Sequence, residues 1–171
     1  KQNEAVGAST LKRQHVKLTG DAIHLDYTAK GGKRVRKQIK DKSLSRVMQQ
    51  IDDLPGRQVF QYIGHDGALY SLDSSHVNDY IGEGFSAKTI RTWHGTLAAF
   101  KLALKTEGEP SIKAMSEAAA TRLHNTPAIC RGSYIHPAVI SLAEDNIAAD
   151  VKAIKKRGLR KSERQLLAFL A

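Results

Sequence analysis

Apolar side chains recur at every second position over residues 22–27, which predicts a strand with one buried face. Residues 11–18 show the same alternation more weakly. Residues 35–39 indicate a return strand, with apolar positions among many cations. These segments are separated by two hairpin-turn signals, Gly20-Asp21 and Gly31-Gly32. The pattern predicts a three-stranded antiparallel sheet within residues 1–42, with a basic second hairpin.

The hydrophobic period lengthens to that of an α-helix after this sheet. Helices are predicted over residues 43–54 and 73–81, from the N-cap Ser86 to Leu104, over 112–123, and beyond Pro137. Residues 59–72 indicate a short strand pair or a loop. An exposed helix broken at Gly158 is expected over residues 144–161, and a terminal helix is expected to begin at Ser162, with Gln165 in capping-box spacing. The predicted fold class is therefore α+β, mainly α. We expect one domain, residues 1–171, with a sheet part over 1–42 and a helical part over 43–171.

The stretch Asn125–Pro137 contains the most suggestive local chemistry. Thr126 and Pro127 predict a helix start, since a hydroxyl can cap the helix and proline needs no N–H at its first position. Pro137 ends the segment, so Tyr134 is expected near the far end of a helix of about two turns. Its hydroxyl and the Asn125 amide could then point at one small group. A tyrosine packed at a helix end is the more common situation, and this stretch alone does not make Tyr134 a nucleophile.

The positive charge of the chain is concentrated at its two ends. The net charge is +10, yet residues 1–50 hold 12 Lys and Arg against 4 Asp and Glu, and residues 151–171 hold 7 against 1. The middle hundred residues hold 8 against 12 and are net acidic. Clustered cations favour a polyanionic partner, because they release counterions from nucleic acid. Charge alone does not separate DNA, RNA and acidic membranes.

Several classes of protein are disfavoured by composition. No apolar run is long enough to span a membrane. The single cysteine, Cys130, excludes an internal disulfide framework and suits a reducing compartment. The seven histidines show no metal-ligand spacing with cysteine, so no metal site is predicted.

Two groups of cations have both a structural and a functional interpretation. Lys30 and Lys33, at the tip of the second hairpin, either protect a strand edge or form a finger that enters a groove. Lys88 and Arg91 lie in the first turn of the helix that follows Ser86. They either pair with nearby carboxylates or join the free N–H groups of the helix start in an anion site.

Taken together, these motifs closely resemble the catalytic domain of type IB DNA topoisomerases, in particular the small bacterial and poxviral ones. The resemblance covers essentially the whole chain. The matching segments are Thr10-Leu11-Lys12, Tyr27-Thr28-Ala29-Lys30, residues 87–93 (Ala-Lys-Thr-Ile-Arg-Thr-Trp), and Asn125 through Pro137. The resemblance implies a helical catalytic core of the tyrosine recombinase and topoisomerase IB type.

The resemblance also implies a role for four residues. Tyr134 would be the nucleophile that attacks a DNA phosphodiester and forms a 3′-phosphotyrosyl link. Arg91 and Asn125 would bind the non-bridging oxygens of the scissile phosphate. Lys30 would be the general acid that protonates the leaving 5′-oxygen. These residue types suit the reaction, since it needs a covalent nucleophile, donors to a charged transition state and an acid for a poor leaving group.

The partner expected on this basis is double-stranded DNA. Contacts to DNA are predicted from six further cations: Lys12, Arg13, Lys33, Arg34, Lys88 and Arg131. Neither ATP, a metal nor another cofactor is implied, and no membrane or obligatory protein partner is expected. The expected location is the bacterial cytoplasm or an equivalent reducing compartment that contains DNA.

The chain departs from the family pattern in three respects. Another catalytic arginine of the family lies just upstream of the segment that matches residues 1–18, so we expect a catalytic-core fragment that is weak or inactive in isolation. His124 and Gly132 stand where relatives commonly have Gly and Lys.

Three other functions remain compatible with the sequence. A tyrosine recombinase shares the chemistry, but this chain has Thr92-Trp93-His94 after Arg91 and lacks the recombinase pattern of a histidine two residues before an arginine-rich box. A non-catalytic DNA-binding module of the same fold is the second alternative. The third is an RNA-binding protein that uses the basic ends.

Overall fold

The computed structural model of the protein describes residues 6–29, 32–143 and 152–171. These residues form two compact units, Lys1–Gly84 and Phe85–Ala171. The first contains the strands and two helices, and the second is helical. The predicted fold class, α+β and mainly α with an N-terminal three-stranded antiparallel sheet, is confirmed. The assignment of residues 1–171 to a single domain stays a prediction.

The first unit is built on the predicted sheet. Its strands are β1 (Val16–Thr19), β2 (Ala22–Thr28) and β3 (Arg34–Lys40), paired antiparallel in the order β1-β2-β3. Alternation places Ile23 of β2 and Val35 of β3 in the interior, at 2% and 3% exposure. A 3-10 turn, Arg13–His15, precedes β1.

Helix α1 (Lys42–Asp52) covers one face of this sheet. The Asp41 carboxylate caps it by accepting the Leu44 N–H at 2.9 Å. The buried Ser45 hydroxyl donates to the Gly20 carbonyl at 2.8 Å, which ties α1 to the first hairpin turn. The core of this unit contains Leu11, Ile23, Met48 and Val59.

The remainder of the first unit follows the sequence expectations closely. Residues 59–72 contain a strand pair, β4 (Gln61–Ile63) and β5 (Leu69–Ser71), joined antiparallel. Helix α2 (Ser74–Ile81) begins after Asp73, whose carboxylate accepts the N–H groups of Ser75 and His76. A hydrogen bond from the Ser75 hydroxyl to the same carboxylate, at 2.7 Å, and those from the His76 backbone and ring hold the pKa of Asp73 well below its ordinary value.

The second unit contains five helices among the described residues: α3 (Ala87–Ala103), α4 (Ile112–Leu123), α5 (Pro127–Ser133), α6 (Pro137–Ser141) and α7 (Lys161–Leu170). Its core is formed by α3 and α4 together with residues of the shorter helices, and Phe100, Met115, Val139, Leu142 and Leu166 are fully buried. The terminal helix docks through Leu166 and through Phe169, whose ring lies 5.4 Å from that of Phe100. The apolar face of this helix is thus packed against the core of the second unit.

Two predictions for the end of the chain are wrong. Residues 152–160 are not helical, and Gly158 lies in a turn with a φ of 80°; residues 144–151 of the predicted exposed helix lie outside the described part. The terminal helix begins one residue before Ser162, with Arg160 as its N-cap. The Glu163 carboxylate accepts the Arg160 N–H at 2.7 Å, so an acid in the first turn performs the role predicted for Gln165.

Candidate active site

Tyr134 ends helix α5. Thr126 caps that helix by accepting the Ile129 N–H at 3.4 Å, and Pro127 occupies its first turn, as the sequence predicted. The buried side chain of Cys130 anchors the helix, and the Cys130 carbonyl accepts the Tyr134 N–H at 2.9 Å. At Tyr134 the backbone leaves helical geometry, with φ −135° and ψ 3°. The tyrosine is therefore the residue at which the chain turns away from the helix, and it is half-buried.

Arg91 lies against the Tyr134 side chain. Its guanidinium carbon is 5.2 Å from the centre of the tyrosine ring, a cation–π contact. One guanidinium nitrogen, Nη2, donates to the carbonyl of Leu123 at 3.2 Å. Arg91 is the fifth residue of α3, just beyond the first turn in which the sequence placed it. Within the described residues no carboxylate pairs with it, so its charge is available to an anion.

The end of α4 brings Asn125 into the same region. His124 adopts the left-handed conformation, with φ 51° and ψ 50°, and ends the helix sharply. The Asn125 N–H then donates to the Ala120 carbonyl at 3.0 Å, and the Asn125 amide oxygen accepts the Thr126 N–H at 2.8 Å. Asn125 is thus fixed between α4 and α5, two residues from the carbonyl that binds Arg91.

Helix α3 approaches the Tyr134 backbone closely at Gly95. A Cβ atom at this position would lie 2.4 Å from the Tyr134 carbonyl oxygen and 3.1 Å from its Cβ. A residue with a side chain at this position would displace either α3 or the backbone at Tyr134. Thr96, the next residue, donates its hydroxyl to the Tyr134 carbonyl at 3.4 Å and accepts the His136 N–H at 3.0 Å.

Gly95 and Thr96 were missed by the reasoning from sequence. The available signal was a glycine inside an otherwise regular helical pattern, which often has a packing reason. The pattern does not say which neighbour comes close. That information depends on how α3 packs against the segment that follows α5.

Two predicted DNA-binding cations lie in the same unit. Lys88 lines a cavity of 360 Å³ beside the start of α3. The other residues that line this cavity are Ser86, Thr89, Thr92, Trp93, Thr96, His136 and Leu170. The Ser86 hydroxyl caps the helix by accepting the Thr89 N–H at 3.2 Å, as predicted. Arg131 is exposed in the last turn of α5, three residues before Tyr134.

The other predicted cations belong to the first unit, where Arg13 and Arg34 form hydrogen bonds and ion pairs with their neighbours. The Arg13 guanidinium donates to the carbonyls of Ile51 and Leu54 at the end of α1 and lies 3.8 Å from the Asp52 carboxylate. Cations are favourable at such a helix end, because its last carbonyls carry partial negative charge. Arg13 therefore has a structural role, and its contact with DNA stays a prediction.

Arg34 forms a two-point ion pair with Asp26 on the neighbouring strand, at 2.6 Å and 2.9 Å. The hydrogen bond from Arg34 lowers the pKa of Asp26 and raises that of Arg34. Lys12 donates its backbone N–H to the His15 ring at 3.1 Å, and Lys33 is exposed just before β3. Lys30, the predicted general acid, lies outside the described residues.

The part of the chain that the structure describes shows no cluster of three or more His, Cys, Asp or Glu suited to a metal ion. None of the helices in that part has both the length and the apolar character needed to cross a bilayer.

Residues 1–158 match the sequence profile of the family described as eukaryotic DNA topoisomerase I, catalytic core. A protein of Acanthamoeba polyphaga mimivirus named DNA topoisomerase 1B is 26% identical over 165 residues. The match covers 85% of this chain and 49% of the viral protein, so the chain spans about half the length of that relative. The family match covers far more than half of the chain and includes Arg91, Asn125 and Tyr134. The resemblance drawn from the motifs is confirmed, and the chain belongs to the catalytic-core family of DNA topoisomerase I.

Proposed function

We propose that this chain is the catalytic part of a type IB topoisomerase, which cuts one strand of duplex DNA through Tyr134, allows rotation and reseals the strand. The observation that carries the proposal is the contact between the Arg91 guanidinium and the Tyr134 ring. A phosphate-binding cation and a candidate nucleophile, 43 positions apart in the sequence, share one site in the second unit. Family membership supports the same assignment.

In the proposed reaction the Tyr134 oxygen attacks the phosphorus of a DNA phosphodiester. A bond forms between the tyrosine oxygen and phosphorus, the phenol proton passes to solvent water, and the bond from phosphorus to the 5′-oxygen breaks. Lys30 supplies the proton that the departing 5′-oxygen needs. The products are a 3′-phosphotyrosyl enzyme and a free 5′-hydroxyl. Since one phosphate ester replaces another, the reverse attack by that hydroxyl reseals the strand without ATP.

Arg91 stabilises the charge that develops on the phosphate. Its planar guanidinium can donate to two oxygens at once, and donors placed where charge develops are the most effective contributors in reactions of this type. Asn125 adds a neutral donor to the same oxygens. The Leu123 carbonyl and the Tyr134 ring hold the guanidinium beside the nucleophile.

Duplex DNA is the proposed partner. The net charge of +10 and its concentration at the two ends of the chain support a polyanion. The buried Cys130, the single cysteine of the chain, fits a reducing compartment that contains DNA, such as a bacterial cytoplasm.

Relaxation of supercoiled plasmid without ATP tests this function. Slow relaxation of the plasmid is expected from the protein, and Tyr134→Phe is expected to abolish it while DNA binding is retained. Tyr80→Phe is the matched control, because Tyr80 is 94% exposed on α2 and has no proposed role. Equal relaxation by the wild type and Tyr134→Phe would contradict the proposal. Site-specific joining of two duplexes would instead indicate a recombinase.

A further inference from the structure

Thr96 is a buried polar residue whose hydroxyl serves the segment around Tyr134. Its side chain is on α3, and the residue is 2% exposed. The hydroxyl donates to the Tyr134 carbonyl at 3.4 Å and accepts the His136 N–H at 3.0 Å. Neither hydrogen bond is made within its own helix. One hydroxyl thus binds the backbone on both sides of Ile135.

These two hydrogen bonds act where the local structure gives little support. Helix α5 has seven residues and ends at Tyr134, and α6 begins only at Pro137. Short helices are marginal by themselves and depend on tertiary contacts. Between the two helices the backbone direction depends on groups outside the segment, and Thr96 supplies two of its hydrogen bonds.

Gly95 reinforces this contact from the adjacent position. Because it lacks a side chain, the Tyr134 carbonyl can come within reach of the Thr96 hydroxyl. Leu123, whose carbonyl binds Arg91, also lies within 3.0 Å of the position that a Gly95 Cβ would occupy. Two consecutive residues of α3 therefore set the distance between the helix that carries Arg91 and the backbone that carries Tyr134.

We propose that Thr96 is a positioning residue for Tyr134, which rests on the proposed role of Tyr134 as the nucleophile. The direction of the tyrosine side chain follows from the backbone angles at residue 134, and the Thr96 hydroxyl fixes those angles relative to α3. Thr96 does not touch the phosphate. It acts on the reaction by keeping the tyrosine oxygen in line with the bond to be broken, where small displacements are costly in rate.

The test is single-turnover formation of the covalent adduct on a suicide DNA substrate, whose cleaved end diffuses away. Thr96→Val keeps the shape of the side chain and removes both hydrogen bonds. We expect the rate constant to fall by about 10- to 100-fold, since misplacement of a reacting group by about 1 Å has effects of this size. Thr96→Ser restores the hydroxyl and is expected to react within about threefold of the wild type. DNA affinity should be unchanged in both variants.

The assay separates positioning from loss of folded protein. A destabilised variant lowers the amount of adduct, whereas a misplaced nucleophile lowers the rate constant of the molecules that do react. Thr106→Val is the matched control, because it removes a hydroxyl-to-carbonyl hydrogen bond to Leu102, of 2.9 Å, just beyond the other end of α3. If Thr96→Val does not fold, Thr96→Ala is measured in its place, and it should show the same loss in rate.

Three results would overturn the inference or its basis. A wild-type rate constant in Thr96→Val or, if that variant does not fold, in Thr96→Ala would show that the hydroxyl does not position Tyr134. An equally slow Thr96→Ser would assign the effect to packing of the methyl group. Absence of any adduct on Tyr134 in the wild type would refute the proposed function itself, which the first two outcomes leave intact.

Discussion

At Arg91 a planar cation lies on the tyrosine ring while one of its nitrogens bonds a backbone carbonyl. Neither contact neutralises the guanidinium as a carboxylate would. A phosphate that enters the site can therefore gain the full charge of the arginine, and the remaining N–H groups can donate to it. This arrangement suits a group that must bind an anion strongly only when substrate is present.

We expect Arg91→Ala to slow adduct formation by about 10²- to 10³-fold, the usual cost of removing one transition-state donor. Arg91→Lys should recover little of this rate, because an ammonium cannot donate to two oxygens in the guanidinium geometry. Single-turnover rates on the suicide substrate measure both. Arg122→Ala, at an exposed arginine near the end of α4, is the control. Full activity in Arg91→Lys would rule out two-point recognition by Arg91.

His124 has a backbone conformation that is unfavourable for residues other than glycine. It occupies the left-handed position that ends α4, where glycine is free of steric cost. We expect His124→Gly to raise the free energy of unfolding by about 1 kcal/mol, measured by urea denaturation. His124→Ala keeps the strained backbone and should give no such gain. A loss of stability in His124→Gly would show that the histidine side chain makes a contact worth more than the strain.

Residue roles and residue contacts differ in how far the sequence predicts them. Arg91, Asn125 and Tyr134 could be singled out because their motifs resemble those of a known family. The stacking of Arg91 on Tyr134 could not be predicted, since it depends on how α3 packs against the segment between α5 and α6. The hydrogen bonds of Arg13 to the end of α1 join residues about 40 positions apart, and no local pattern contains them.

Among the elements, α3 organises the second unit. It contributes Arg91 to the site, Gly95 and Thr96 to the Tyr134 backbone, and Phe100 to the core. Its N-cap, Ser86, was evident in the sequence, because capping is a local interaction. The start of α7 was misjudged for a related reason. Ser162 with Gln165 and Arg160 with Glu163 both have capping-box spacing. Glu163 forms the capping hydrogen bond, because a carboxylate is a stronger acceptor than an amide and its negative charge is favourable at the positive end of the helix.

The close approach of α3 to Tyr134 predicts opposite effects for two glycine substitutions. In Gly95→Ala the new methyl group would lie 2.4 Å from the Tyr134 carbonyl oxygen, so the melting temperature and the cleavage rate should both fall. In Gly132→Ala, within α5, the added methyl group meets nothing within 4 Å. This variant should be neutral or more stable by about 0.5 kcal/mol, through reduced chain entropy. Thermal unfolding and single-turnover cleavage of both variants test this, and equal behaviour would exclude a special role for Gly95.

For the whole molecule, charge is the property most relevant to its proposed partner. The sequence shows where the cations lie along the chain, and the structure shows which of them are already engaged. Arg13 is bound to the end of α1 and Arg34 to Asp26, whereas Lys88 and Arg131 form no ion pair with a described carboxylate. Net charge therefore overstates the number of cations that can contact DNA freely.

We expect the affinity for duplex DNA to fall steeply with salt, and Lys88→Gln and Arg131→Gln each to reduce the slope of log K against log salt by about 0.9. Arg13→Gln should leave the slope nearly unchanged and lower the stability instead, since it removes the cation at the end of α1. Titrations over a range of salt concentrations measure the slopes. A reduced slope in Arg13→Gln with unchanged stability would show that Arg13 contacts DNA and does not stabilise the end of α1.

The central claim is that Tyr134 attacks DNA, and it is tested most directly by mapping the covalent adduct. The protein is incubated with a labelled suicide substrate and digested, and the peptide that carries the nucleotide is identified by mass spectrometry. We predict a single adduct on Tyr134, attached to the 3′-phosphate of the cleaved strand and absent in Tyr134→Phe. An adduct on Tyr27, Tyr62, Tyr70 or Tyr80, a 5′-linkage, or no adduct at all would contradict the account.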